Sequence, residues 1–205
     1  MKYIDLSHSL SNDISTYPSD PDLKIIKEKE IINDNSLLHS FKMGTHTGTH
    51  LDVPAHIIPG GKTLSMFSLD CFSGKAVKVD INCYDKLHQL NGEIDGIIFE
   101  TGWYKNFNDS KKFYGLDRPI IPKKLIERVI DLEIKFFACD LPSVDRSGSK
   151  EKPIHHALLG RDIIIYESLT NLNQLPFLSP FNFFGFPLPF KNLDGSPVRA
   201  IAVLG

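Results

Sequence analysis

The segment Gly44–His56 constrains this chain more than any other part of its sequence. Three histidines and one aspartate, His46, His50, Asp52 and His56, fall within eleven residues. Imidazole and carboxylate groups at this density suit a first-row divalent metal ion, zinc first and manganese next. A lone histidine is usually an ordinary hydrogen-bonded side chain, but four candidate ligands separated by small residues favour a metal site.

The residues between these ligands restrict the shape of the backbone. Glycines, a proline and β-branched residues make a helix unfavourable here. In a straight strand all four side chains would face one side, but His46 and His50 would stand about 13 Å apart, too far for one ion. The chain must therefore bend between them, and Gly48 can take the positive φ that a bend needs. Asp52 then shares a face with His50, and Pro54 interrupts the strand before the last histidine.

The rest of the chain predicts a single α/β domain over residues 1–205, with no repeat or linker. Apolar runs and alternation predict strands, in chain order, at residues 2–9, 37–43, 75–81, 96–100, 135–139, 163–166 and 197–204. The best helical pattern covers Pro122–Ile134, which has one apolar stripe and an early proline. A short helix is also predicted at Tyr84–Leu90. The segment Phe177–Phe190 is rich in phenylalanine and proline, which excludes a central strand and indicates a core-lining loop, an edge strand or a pocket wall.

Two later segments carry further candidate site residues. Asp140–Asp145 is a loop after a predicted strand, a common location for functional groups. Pro153–Leu159 predicts a short helix that carries His155 and His156. Glu167 directly follows a buried strand, so it is either a solvated strand end or a site residue.

Composition disfavours several other functions. The chain has a formal charge of −2 and no basic face, so we expect no nucleic-acid partner. No signal-peptide pattern or run of about 18 apolar residues is present, so we expect no membrane partner. The three cysteines are widely spaced without a C-x-x-C motif, which favours a cytoplasmic location and argues against a cysteine metal site. A cysteine nucleophile stays open as a weak alternative.

The pattern His46-x-x-x-His50-x-Asp52-x-x-x-His56 resembles the signature of the cyclase family of metal-dependent hydrolases, whose best-known activity is bacterial kynurenine formamidase. The resemblance spans nearly the whole chain. The other matching segments are Tyr17-Pro-Ser-Asp20, Asp140–Asp145, His155–Gly160 with Glu167 twelve residues after its first histidine, and Asp194–Ala200.

The resemblance implies a site with one or two divalent metal ions. His46, His50 and Asp52 would hold one ion. Asp52 and Glu167 would bridge to a second ion, whose other ligand would be His155.

The resemblance also implies catalytic and substrate-binding roles. His56 would be the general acid and base, with Glu167 as the other catalytic residue, and Tyr17 would contact the substrate. His156 is an alternative ligand to His155, although the spacing to Glu167 favours His155.

The fold and assembly that the resemblance implies are a swivelling β/β/α domain, with a mixed sheet and flanking helices, in a homo-oligomer that is a dimer or a dimer of dimers. The implied reaction is hydrolysis of a small aryl amide by metal-activated water, as in the conversion of N-formylkynurenine to kynurenine and formate.

Tyr17 is smaller than the tryptophan often found there in kynurenine formamidases, and Glu167–Leu172 looks more like a functionally unassigned branch of the family. The substrate therefore stays open to a cyclic, isatin-like amide or another small amide or ester. A protein of a different class, a non-catalytic metal-binding protein on the same scaffold, is disfavoured because every expected ligand and the base are present.

Overall fold

The structure is a computed structural model that describes residues 1–89 and 93–205. Eleven strands and four α-helices form within these residues. The strands are β1 (Lys2–Asp5), β2 (Lys24–Lys29), β3 (Leu38–Lys42), β4 (His50–Asp52), β5 (Ser73–Asp80), β6 (Gly96–Glu100), β7 (Phe136–Cys139), β8 (Ile164–Glu167), β9 (Phe181–Phe184), β10 (Gly195–Pro197) and β11 (Ile201–Leu204). The helices are α1 (Ile31–Asp34), α2 (Ser110–Phe113), α3 (Lys123–Asp131) and α4 (Pro153–Leu159).

Nine of the described strands form one mixed sheet in the order β1-β11-β9-β5-β6-β7-β8-β4-β10. The central strands β5 to β8 run parallel, and the strands on both flanks pair antiparallel. Three of them, β6, β7 and β8, are nearly continuous apolar runs because both of their faces are buried. The predicted α/β class and the mixed sheet with flanking helices are therefore confirmed.

The two faces of the sheet bury two separate apolar clusters. On one face α3 and α4 pack on the parallel strands, through side chains such as Leu125, Val129 and Leu158. On the other face the flanking strands curl over the centre, so that Leu51 of β4 and Phe183 of β9 share one core. Direct pairing with β8 places β4 beside the carboxyl end of that strand, where the candidate ligands lie.

The strand β9 corrects the prediction for Phe177–Phe190. Phe181–Phe184 lies inside the sheet between β11 and β5, so the exclusion of a central strand is wrong. The nearest prolines, Pro180 and Pro187, fall outside these four residues, and every residue of the strand keeps its backbone N–H. The segment thus supplies a short proline-free strand between two proline-containing connections.

Other predicted elements have different bounds in the structure, including the strand at residues 2–9, which ends at Asp5, and the helix Pro122–Ile134, which covers Lys123–Asp131. The predicted strand 197–204 is divided between β10 and β11, which lie at different places in the sheet. The predicted helix Tyr84–Leu90 is a 3-10 helix over Tyr84–Gln89, and Leu90 lies outside the described residues.

The strands β2 and β3 form a separate two-stranded hairpin that ends in α1. It carries several large apolar side chains that are mostly exposed, namely Ile26, Ile31, Ile32, Leu37, Leu38 and Phe41. Among the described helices, none has the length and apolar character needed to cross a membrane.

Candidate metal centre

The segment that carries the candidate ligands has the bend that its spacing predicts. Gly48 has a φ of 67°, and the chain enters β4 at His50 directly after this turn. Pro54 begins a 3-10 turn that contains His56, so the second predicted irregularity is also present. The bend has a chemical consequence, because the Gly48 carbonyl lies 2.8 Å from His50 Nδ1 and accepts its proton. His50 therefore directs Nε2, with its free lone pair, into the site.

Sheet pairing brings residues that are distant in sequence next to β4. On one side β8 places Glu167 directly opposite His50. On the other side β10 places Gly195 opposite Asp52, so Asp194 lies at the edge of the same site. His155 reaches the site from α4, which packs on β8.

Two carboxylates and two imidazoles form the centre of the site. His50 Nε2 lies 3.5 Å from Asp52 Oδ1 and 3.5 Å from Glu167 Oε2. His155 Nε2 lies 3.4 Å from Asp52 Oδ2 and 3.4 Å from Glu167 Oε1. All four residues are at most 3% exposed. The Nε2 atom of each imidazole thus lies near one oxygen of Asp52 and one oxygen of Glu167, and the two imidazoles approach different oxygens.

The loop after β7 orients His155. Asp145 Oδ2 lies 2.6 Å from His155 Nδ1, and the same carboxylate accepts the backbone N–H groups of Ile154 and His155. Val144 N–H donates to Glu167 Oε1 at 2.7 Å, so the loop positions both partners. With Nδ1 donating to Asp145, His155 presents Nε2 as an acceptor or ligand. His156 is exposed, and the structure places His155 in the site instead.

The remaining two histidines share a second carboxylate. His46 Nδ1 lies 2.6 Å from Asp52 Oδ1, and its Nε2 lies 2.8 Å from Asp194 Oδ2. Burial lowers the pKa of His46, but the charges and hydrogen bonds of these two carboxylates outweigh it and raise the pKa to about 10. His56 Nδ1 lies 3.5 Å from the same oxygen of Asp194. Hydrogen bonds from His46 and His56 hold the pKa of Asp194 well below its usual range.

The donor set fits a divalent cation. Burial raises the pKa of Asp52, but the surrounding histidines lower it well below its ordinary value, so this buried carboxyl is a charged one. Its Oδ2 makes no well-formed hydrogen bond among the described residues, although His155 Nε2 lies 3.4 Å from it, so a bound cation would complete the interactions of this buried oxygen. Two groups offer ligand atoms within 4.8 Å of one another, and both contain Asp52: His50, Asp52 and Glu167, and His46, Asp52 and His56. The second group includes His56, which the resemblance assigns to proton transfer.

The site opens into a cavity of about 220 Å³. Tyr17 and Tyr114 line it, with their rings in an edge-to-face arrangement at a centroid distance of 5.6 Å. Lys152 also lines it, with Nζ 3.3 Å from His56 Nε2. No described residue of Phe177–Phe190 contributes to this cavity, so the prediction of a pocket wall there is wrong for this site.

The sequence does not identify three of these residues as part of the site. Asp194 begins Asp194–Ala200, a segment that resembles the family, but its place beside the histidines follows from the pairing of β10 with β4. Lys152 is one of many lysines. Tyr114 follows polar residues that are typical of a surface, yet its ring lies edge-to-face against Tyr17 in the cavity.

Comparison with known proteins bears on the whole chain. The protein-family model "Cyclase" matches residues 4–146, which is more than half of the sequence. A kynurenine formamidase of Salinibacter ruber is 30% identical over 210 residues, covering 98% of this chain and 97% of that protein. The crystal structure of an isatin hydrolase bound to thioisatinate has a TM-score of 0.86 at 21% identity, covering 99% and 92% of the two chains. A potential metal-dependent hydrolase with cyclase activity has a TM-score of 0.79 at 21% identity, covering 98% and 96%. At this identity the structural likeness shows a shared fold.

Proposed function

This chain belongs to the cyclase family, and from that premise we propose that it hydrolyses the amide of an N-formyl aryl amine, as in the conversion of N-formylkynurenine to kynurenine and formate. It is a hydrolase of carbon–nitrogen bonds other than peptide bonds. The observation that carries the proposal is the buried cluster in which His50 and His155 both direct Nε2 at the carboxylates of Asp52 and Glu167.

The cluster would hold one or two divalent ions, zinc first and manganese as the alternative. His46, His50 and Asp52 would bind one ion, while Asp52, Glu167 and His155 would bind a second. A divalent ion supplies Lewis acidity toward the amide carbonyl and toward water. In support, Asp52 takes part in both groups of close ligand atoms, and its buried Oδ2 makes no well-formed hydrogen bond among the described residues.

His56 is the proposed general acid and base. Lysine has no acceptor, so the contact with Lys152 makes His56 Nε2 an acceptor and places the ring proton on Nδ1, toward Asp194. Nε2 can therefore take the proton of the attacking water and return it to the leaving nitrogen. Asp194 stabilises the ring in this orientation and balances the positive charge that it gains. Glu167, the second proposed catalytic residue, fixes the geometry around both inner histidines.

The aromatic rings at the cavity support an aryl substrate. Tyr17 is the proposed substrate contact, and the ring of Tyr114 packs edge-to-face against the ring of Tyr17. Burial raises the pKa of the Tyr114 hydroxyl well above its usual range, and this hydroxyl donates to the backbone oxygen of Ser15. The two rings together supply an apolar wall for the ring of an aryl substrate.

Residues 1–205 form one hydrolase domain in this proposal, since the nine-stranded sheet draws strands from both ends of the chain. We infer a homodimer or a dimer of dimers, in which a second copy covers the exposed apolar side chains of the β2–β3 hairpin. We also infer a cytoplasmic location, which the three free cysteines support.

The direct test is turnover by zinc- or manganese-loaded protein of formanilide, 2-formamidobenzoate and isatin. Release of formate from the first two supports the proposal, whereas ring opening of isatin alone would move the substrate to cyclic amides. Bound metal without any turnover would favour a non-catalytic metal-binding protein.

Variants of the candidate ligands and base separate their roles. His50→Ala and His155→Ala should bind metal more weakly and lose activity, while the matched control His156→Ala, on an exposed neighbour, should keep both properties. His56→Ala should keep its metal and lower kcat by a factor on the order of 10²–10⁴. Loss of metal in this variant would instead make His56 a ligand.

A further inference from the structure

Lys152 is a cation in the active-site cavity to which the reaction described above gives no role toward the substrate. It lies at the amino end of α4, with a φ of 40° and a ψ of 55°. A residue before proline normally has an extended backbone, and the left-handed region is unfavourable for any residue with a Cβ. This unusual conformation marks the position as one to examine for function.

The Lys152 ammonium has no ionic partner in the described part of the chain. No carboxylate oxygen of residues 1–89 and 93–205 lies within 4 Å of Nζ, and its one hydrogen-bond contact is His56 Nε2 at 3.3 Å. The carboxylates of the site are already engaged, Asp52 and Glu167 with the inner histidines and Asp194 with His46. Among the described residues that line the cavity, Lys152 is the single lysine or arginine.

The contact with His56 cannot persist during the proposed reaction. Nε2 has one lone pair, which the ammonium occupies in this structure. When His56 takes a proton from water, Nε2 becomes a donor, and two cationic donors then face each other. Lys152 must therefore turn to another acceptor once the substrate is bound.

We propose that the Lys152 ammonium binds a carboxylate that the substrate carries near its scissile amide, so that the enzyme selects anionic aryl amides over neutral ones. This inference rests on the proposed amide hydrolysis. A carboxylate oxygen about 2.8 Å from Nζ lies within about 6 Å of His56 Nε2, the atom that must also approach the leaving nitrogen. An aryl amide with a carboxylate on the neighbouring ring carbon, or on a short side chain there, meets this geometry. Asp20, another charged residue that lines the cavity, would repel the same carboxylate, which leaves Lys152 as its binding partner.

The test compares two substrates of similar shape and different charge. 2-Formamidobenzoate carries a carboxylate next to the formamide, and 2-formamidotoluene carries a methyl group there. The variants are Lys152→Met, which removes the ammonium and keeps an unbranched side chain of similar shape, and Lys152→Arg, which keeps the charge. Lys150→Met, at an exposed lysine in the same connection, is the matched control.

The expected result is a loss of selectivity in the variant without the charge. Lys152→Met should lower kcat/KM for 2-formamidobenzoate by about tenfold to a hundredfold more than for 2-formamidotoluene. Lys152→Arg should retain most of the preference, and Lys150→Met should retain all of it. An equal loss for both substrates in Lys152→Met would overturn the inference, because Lys152 would then act through His56 alone.

A binding measurement keeps the inference separate from the proposed function. If the wild-type protein hydrolyses neither formamide, the proposed function is wrong. Calorimetric titration with 2-aminobenzoate then tests the carboxylate site alone. Weaker binding of this anion to Lys152→Met than to Lys150→Met supports the site, and equal binding overturns it.

Discussion

Replacing Asp145 by asparagine tests how the protein presents His155 to a metal ion. Asp145 Oδ2 accepts both the Nδ1–H and the backbone N–H of His155, while Oδ1 accepts the backbone N–H of Ile154. The asparagine amide has one acceptor oxygen in place of two. In one orientation it therefore loses the bonds to His155, and in the other it loses the bond to Ile154. The side chain keeps its size, and the backbone of α4 keeps at least one of its anchors.

The expected loss follows from the bond between Asp145 and His155. The bond is 2.6 Å long and joins residues that are 5% and 2% exposed, so water does not screen it. Outer partners of metal-binding histidines typically contribute a factor of about 10–100 in metal affinity, or about 1.4–2.7 kcal/mol. A charge-assisted hydrogen bond contributes about 1.5–3 kcal/mol, which agrees with this range. We therefore expect Asp145→Asn to weaken zinc binding by about 10–100-fold.

Competition with a chromophoric chelator measures this change in the wild type, Asp145→Asn, His155→Ala and the double variant. The same carboxylate change at exposed Glu151, Glu151→Gln, is the control and should leave the affinity unaltered. In the His155→Ala background, Asp145→Asn should have little further effect, because the two residues act as one unit. Equal losses in both backgrounds would refute the argument that Asp145 acts through His155.

Three further predictions concern pH, the bend and the hairpin. Burial lowers the pKa of His8 to about 4 from 6.5, so the folded state disfavours its charged form. The contribution of neutral His8 to stability is therefore present above pH 6.5 and lost as the pH falls through about 4. In urea denaturation, the unfolding free energy of His8→Phe should fall by about 2 kcal/mol less between pH 7 and pH 4 than that of the wild type, a value that allows for the partial exposure of His8. Gly48 and Gly60 have φ angles of 67° and 73°, so alanine at either should cost about 1–2 kcal/mol of unfolding free energy, but only Gly48→Ala should also weaken zinc binding in the chelator assay. Phe41→Asp, at a side chain that is 61% exposed, should shift the light-scattering mass toward the monomer, whereas Lys42→Asp on the same strand should not.

The parts of the fold that could be predicted from sequence are those that depend on local pattern. The buried strands β6, β7 and β8 are short apolar runs, and α3 has a helical apolar stripe. The sequence pattern does not reveal β9, because the prolines that flank its four residues make the whole segment look unsuited to a central strand. The curl of the sheet depends on pairings between distant strands, such as β1 with β11, for which one sequence contains no signal.

The bend at Gly48 was predictable because metal chemistry restricts geometry. Two ligands of one ion must approach within a few ångströms, and the spacing of His46 and His50 permits this only if the chain turns between them. The hydrogen bond from His50 to the Gly48 carbonyl was not predictable, since it depends on where that turn leaves the carbonyl. Ligand type and spacing therefore predict the path of the backbone, while the direction of each ring nitrogen requires the structure.

Asp194 shows why the role of a residue can stay hidden even in a segment that resembles the family. It lies 138 residues after His56, and an aspartate before a glycine is typical of any turn. Its position follows from the register of β10 on β4, in which Gly195 faces Asp52 and the Asp194 carbonyl accepts the Val53 N–H. Gly195 is required by the same register, because a Cβ there would lie 2.8 Å from the His46 ring and 2.7 Å from the Leu51 carbonyl oxygen. The Asp-Gly pair thus combines a carboxylate that orients two histidines with the one residue small enough to let a histidine ring lie against the strand.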